Sequence, residues 1–171
     1  DGARLGMHIG YLMVTEPFGP PFTLDQAYTF ARDRTVVFGY PDILFQPEHA
    51  FASALARLDA TGADVVIGLF PWLPDTFFDP CELDANGRVQ RIVVKEANPV
   101  WSAEQKVWSF AVWRPTFTEF LHGETARLRT LALSGAAGSS PEWPVGVTID
   151  AAIRAGLHVD SVYFNDGIYL D

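Results

Sequence analysis

One cysteine, Cys81, stands in 171 residues. That excludes an intrachain disulfide framework, and neither a CxxC pair nor a dense Cys/His cluster is present. Basic residues are scarce, with 12 Lys plus Arg against 21 Asp plus Glu, a formal charge of −9. This argues against nucleic-acid binding, which needs Lys and Arg along the phosphate backbone. A small anionic substrate stays open if a few cations are focused in a cleft. No stretch approaches 18 uncharged apolar residues, so no membrane span is expected. The opening DGARLGMHIGYLMV lacks the order of a signal peptide. With reduced cysteine as the default, a cytoplasmic location is expected. The start also lacks an initiator Met, and the chain stops at Asp171 just after an apolar run. Both ends read as cut, so the expectation is a piece of a longer protein. No repeat and no inter-domain linker is visible.

What is present is a core. Hydrophobic residues make up 49% of the chain, with 13 Phe, 5 Tyr and 5 Trp, which excludes a wholly disordered chain, and the length suits one domain. Met7–Val14 reads as a strand. Thr23 and Gln26 have capping-box spacing, predicting a helix over Leu24–Arg32. Thr35–Gly39 and Asp64–Phe70 are short, β-branched and continuously apolar, like buried parallel strands. Between them Pro47 fits a first helical position. Phe51, Leu55 and Leu58 make one stripe, and Gly62 fits the C-cap. Cys81–Leu83 and Val89–Lys95 flank an Asn-Gly turn and predict a hairpin. Lys106–Trp113 and Val159–Phe164 read as strands. Pro115–His122, Thr125–Leu133 and Thr148–Ala155 read as helices. Ser134–Glu142 reads as a loop, and Ile168–Leu170 as a last short strand. The rhythm predicts an α/β domain with a mixed, mostly parallel sheet.

Three residues stand where chemistry is expected. Asp42 follows the carboxyl end of an apolar strand, where open α/β sheets bind ligands, and its hard oxygens suit a divalent cation. A turn-forming Asp beside Pro41 is the plainer alternative. Asp171 also ends an apolar strand, and two such carboxylates can share Mg²⁺ on a phosphate substrate. Lys95, after Ile92-Val93-Val94, could neutralise a phosphate or sit solvated beside Glu96. The Gly19–Pro21 turn could line a flat base or merely be rigid. Trp108 and Trp113 read as core or pocket wall. His8, His49, His122 and His158 lack ligand spacing.

Several ordered segments resemble one family, the nucleotidyltransferases that make nucleotide-sugars from a nucleoside triphosphate and a sugar 1-phosphate. They are Asp1-Gly-Ala-Arg-Leu-Gly6 with Ile9-Gly-Tyr11, Glu16-Pro-Phe-Gly19, Val36-Val-Phe-Gly39 with Asp42, and Gly62-Ala-Asp-Val65. They continue with Asp84-Ala-Asn-Gly-Arg-Val89 through Lys95, and Gly167-Ile-Tyr-Leu-Asp171. The resemblance implies a Rossmann-like, three-layer α/β/α fold. It implies Mg²⁺ held by Asp42 and Asp171, and Lys95 on the sugar phosphate. It also implies a nucleotide lined by Gly19, Pro21, Gly39 and Trp108, with Leu12–Pro21 as part of the base wall. A homo-oligomer is compatible with it; nucleic-acid and membrane partners are not expected.

The chain departs from the family in four places. The glycine-rich loop that cradles the triphosphate is missing, and it belongs before Asp1. The family's Gly-Asp pair is stretched to Gly39-Tyr40-Pro41-Asp42. Proline replaces the base-contacting glycine near Pro21, and Val94 stands where a sugar-binding Glu precedes the Lys. The 171 residues are therefore expected to be inactive alone. A non-catalytic nucleotide-sugar-binding subunit is the second reading, and a metal-dependent glycosyltransferase the third.

Overall fold

The computed structural model describes residues 2–16, 18–72, 79–94, 105–134 and 142–170. Two short helices, α1 (Pro20–Asp25) and α2 (Tyr28–Ala31), precede strands β1 (Val36–Gly39) and β2 (Leu44–Gln46). Then come α3 (Ala50–Thr61), β3 (Val65–Pro71), β4 (Pro80–Leu83), β5 (Val89–Ile92) and β6 (Lys106–Trp113). The chain closes with α4 (Pro115–Leu133), α5 (Val145–Arg154), β7 (Val159–Tyr163) and β8 (Ile168–Leu170).

The main sheet runs in the order β5-β4-β6-β3-β7, with β1 also on β6, while β2 and β8 form a separate ribbon. Its pairings are mostly antiparallel, correcting the mostly parallel expectation. Among the described residues only β3 and β7 pair in parallel. The cause is β6. Both β1 and β3 pair antiparallel with it, so those two strands run the same way with a reversed strand between them. A strand buried on both faces is continuously apolar in either direction, so the sequence pattern is blind to this reversal.

Helices cover both faces. On one, Phe117 and Leu121 of α4 and Val145, Ile149 and Ala152 of α5 pack with Val65, Ile67, Trp108 and Trp113. On the other, Ala50, Ala54 and Leu58 of α3 pack with Val66, Phe70, Phe110 and Val112. Gly62 ends α3 in the left-handed conformation at φ 65°, its N–H donating to the Leu58 carbonyl at 3.1 Å. The 81–92 hairpin forms as expected. Asp84 Oδ1 accepts the Asn86 and Arg88 amides at 2.8 and 3.0 Å.

Four local expectations change. Residues 7–14 form no strand, and Tyr11 and Met13 are 92% and 90% exposed. An apolar run becomes a strand only when it pairs along a sheet edge, and residues 7–14 pair with none of the described strands. The expected Leu24–Arg32 helix is instead α1 and α2, starting at Pro20 because paired prolines fit the first helical positions. Pro47 precedes α3 rather than starting it; its carbonyl accepts the Ala50 amide at 3.0 Å. The two helical pieces from 115 to 133 are one 19-residue helix running through Gly123. The expected 134–142 loop lies largely outside the described residues.

Candidate active site at the carboxyl edge of the sheet

Because β1, β3 and β7 share a direction, their carboxyl ends meet one edge, carrying Tyr40, Pro71 and Phe164. Along β6, β1 covers Phe110 to Trp113 and β4 covers Lys106 and Val107. Trp108 and Ser109 lie in the gap. The register with β3 jumps there, from Gly68↔Phe110 to Leu69↔Trp108, leaving Ser109 as the extra residue of a bulge. Gly68 permits this: a Cβ on it would overlap the Phe110 ring. Ser109 is 1% exposed, and its Oγ has no hydrogen-bond partner among the described residues. A buried hydroxyl in that state is costly unless a ligand or water completes it.

Tyr40 borders the same gap. Its ring meets Phe38 edge-on at 4.9 Å and Trp108 at 6.4 Å. Burial first, then the nearby negative charges of Asp79 and Asp42, push its phenol up to about 12. Asp42 itself is exposed, in the turn between β1 and β2. The Asp79 carboxylate lies against the start of α5: a Cβ on Gly146 would stand 2.6 Å from Asp79 Oδ2 and 3.0 Å from Val94 Cγ2. A carboxylate there complements the positive end of the helix dipole, and only glycine gives it room.

The phenol shift has a measurable consequence. The folded protein holds the Tyr40 proton more tightly than the unfolded chain, whose phenol titrates near 10. Its contribution is complete below pH 10 and lost as pH rises towards about 12, on the order of 2–3 kcal/mol. Denaturant midpoints across that range are expected to fall more steeply in the wild type than in Tyr40→Phe.

The β2–β8 ribbon bears on the two expected metal carboxylates. Leu44 pairs with Leu170 and Gln46 with Ile168. One end of the ribbon therefore joins a residue two positions after Asp42 to the residue just before Asp171. Asp171 and Lys95 themselves lie outside the described residues. At the same sheet edge, Gln46, Pro47, Glu48 and Phe164–Gly167 line a cavity of about 490 Å³.

The four expected nucleotide-lining residues are dispersed. Gly19 adopts φ 99°, where a Cβ would run into the Trp143 carbonyl and sit 2.9 Å from its amide nitrogen. Pro21 is buried beside it. Gly39 yields space to Phe51, whose Cζ would lie 3.1 Å from a Cβ there. Trp108 is 4% exposed and packs in the core, at the gap described above. Tyr40, Asp79, Ser109 and Lys106 were not singled out by the sequence. Lys106 Nζ lies 4.5 Å from the Tyr163 ring centroid, a cation at the carboxyl edge. Their shared location depends on strand register, which local patterns do not carry.

Among the described residues no group of three or more His, Cys, Asp or Glu could hold a metal ion. One or two carboxylates fit Mg²⁺, which keeps waters and phosphate oxygens for the rest of its shell. Nor is any described helix long and apolar enough to cross a membrane.

The chain is an α/β domain with a mixed sheet and flanking helices, and solved structures share this architecture. The chain superposes at a TM-score of 0.74 on a protein from Bacillus anthracis assigned as a glucose-1-phosphate thymidylyltransferase and solved with sucrose. Sequence identity is 13%, and the match covers 99% of this chain and 62% of that one. The likeness is one of fold. No family model matches the chain, and no curated protein matches it in sequence.

Proposed function

We propose that the full-length protein transfers a nucleotidyl group from a nucleoside triphosphate to a sugar 1-phosphate, releasing pyrophosphate and forming a nucleotide-sugar. The observation that carries this reading is the β2–β8 register, which runs the segments holding Asp42 and Asp171 to one end of a ribbon beside the sheet's carboxyl edge. The fold likeness supports it.

In the reaction a phosphate oxygen of the sugar 1-phosphate attacks the α-phosphorus, and the bond to the pyrophosphate oxygen breaks. Such a displacement needs positioning and charge neutralisation more than covalent help. Lys95 holds the sugar phosphate as a point charge. The Phe18–Phe22 turn and Trp143 wall the base, and the Ser109 hydroxyl offers a buried donor in the β1–β4 gap. Asp42 and Asp171 are the residues that would hold Mg²⁺, which when bound neutralises charge on the phosphates.

Lys95→Ala removes a charge-assisted contact worth about 1.5–3 kcal/mol, or roughly 10- to 100-fold in kcat/KM for the sugar phosphate. Steady-state kinetics on the full-length protein should show that loss with the triphosphate KM held. Unchanged sugar-phosphate kinetics would contradict the role.

Two features favour a second reading, a subunit that binds nucleotide-sugar without turnover. Val94 packs on α5 where an acid would serve the sugar, and Tyr40-Pro41 lengthens the approach to Asp42. Calorimetric titration separates the two. A transferase binds triphosphate and sugar phosphate productively, whereas a sensor binds only the nucleotide-sugar.

A further inference from the structure

Arg129 belongs to α4, yet it does not pair within its own helix. Arg127, two positions earlier, pairs locally with Glu124. Arg129 instead reaches Glu16, 113 positions away in sequence. Its Nε donates to both Glu16 carboxylate oxygens at 2.9 and 3.1 Å, and its Nη2 donates to Oε2 at 2.8 Å. The same guanidinium lies over Phe22, with its carbon 5.6 Å from the ring centroid.

Glu16 and Phe22 bracket the turn that opens α1. Phe22 is fully buried, meeting Phe18 at 5.3 Å and Trp143 at 5.9 Å. The Trp143 amide donates to the Phe18 carbonyl at 3.0 Å, and Gly19 presses on the Trp143 backbone. One side chain from α4 thus grips both sides of the turn, while Trp143 fixes its middle.

An ion pair with about a third of each side chain exposed adds little to global stability. A bidentate fork on a carboxylate does fix geometry, and lysine cannot reproduce it. Its effect is therefore local to the turn.

We propose that Arg129 is a positioning residue: its fork on Glu16 and its face on Phe22 hold the Phe18–Phe22 turn in the shape that seats the nucleobase. The inference rests on the transferase reading for the base, and on the contacts alone for the turn. The test uses the full-length protein with Arg129→Gln, Arg129→Lys, Glu16→Gln and the Glu16→Gln/Arg129→Gln pair. Hydrogen exchange at the Phe18, Gly19 and Phe22 amides is measured without ligand, and kinetics with nucleoside triphosphate and sugar 1-phosphate.

Arg129→Gln should speed exchange at those amides about tenfold or more and raise the triphosphate KM about 5- to 30-fold. Both kcat and the sugar-phosphate KM should stay within about twofold. Arg129→Lys should recover only part of this. The paired variant should be no worse than either single one, because both remove the same contact. Faster exchange in a wild-type background that transfers no nucleotide would overturn the transferase reading while upholding Arg129's hold on the turn. Normal exchange and normal triphosphate KM in an active Arg129→Gln enzyme would overturn the proposal and leave the transferase reading intact. A fall in kcat with a rise in both KM values and a lowered Tm would also overturn it, because that is the signature of a merely structural contact.

Discussion

Asp42→Asn in the full-length protein should lower kcat about 10²- to 10³-fold while leaving the unfolding midpoint almost unmoved. The side chain sits exposed in the β1–β2 turn, so the isosteric change costs no packing. Under the proposed transferase reading it removes one hard anionic ligand from the phosphate site, a loss of roughly 3–4 kcal/mol in transition-state stabilisation. A second effect is independent of turnover. Asp42 is one of the charges that raise the Tyr40 phenol, so the variant phenol should titrate at lower pH, with burial and Asp79 still holding it above its ordinary value. A phenol shift with unchanged kcat would locate Asp42 correctly and deny it the metal.

The position of Asp42 just past a strand could be read from the sequence, because an apolar run precedes it. Its surroundings could not. Ser109 looks like one more residue of a continuous β6 run, and becomes distinctive only when the Gly68/Leu69 register shift leaves it unpaired. Asp79 precedes a short strand and gains meaning only from Gly146, far along the chain. Strand β2 is three residues long, and its partner β8 is the last described element. No local pattern links pieces so distant. In contrast, β3 and β6 are buried on both faces, and their apolar runs mark them from end to end. Helix α3 was legible from its stripe and its glycine cap. The 7–14 run fails the opposite way: it has a strand's composition but pairs with none of the described strands.

Phe110→Ala should carry the largest stability cost, about 3–5 kcal/mol. The ring is fully buried. It stacks on Phe45 at 5.0 Å and meets Phe51 edge-on at 4.7 Å, with Phe164 at 6.2 Å. It also fills the space that Gly68 leaves open on β3. A loss of this size is a large share of the 5–15 kcal/mol that holds a typical domain together. Phe45 lies on β2 and Phe164 just before β8, so the cavity also slackens the ribbon below Asp42. Denaturant unfolding should show the midpoint drop. Catalysis should fall beyond what the folded fraction explains, whereas Phe110→Leu should lose far less of both. A drop of under about 1 kcal/mol would mean the aromatic cluster repacks around the hole and the ribbon does not depend on it.

The transfer reaction itself is tested most directly by product analysis on the full-length protein. Purified protein is incubated with each nucleoside triphosphate, each sugar 1-phosphate and Mg²⁺, and pyrophosphate and nucleotide-sugar are quantified together. One pair should give the two products in equal amounts, with neither formed when either substrate or Mg²⁺ is left out. Release of inorganic phosphate in place of pyrophosphate, or tight nucleotide-sugar binding with no product from any pair, would contradict nucleotidyl transfer.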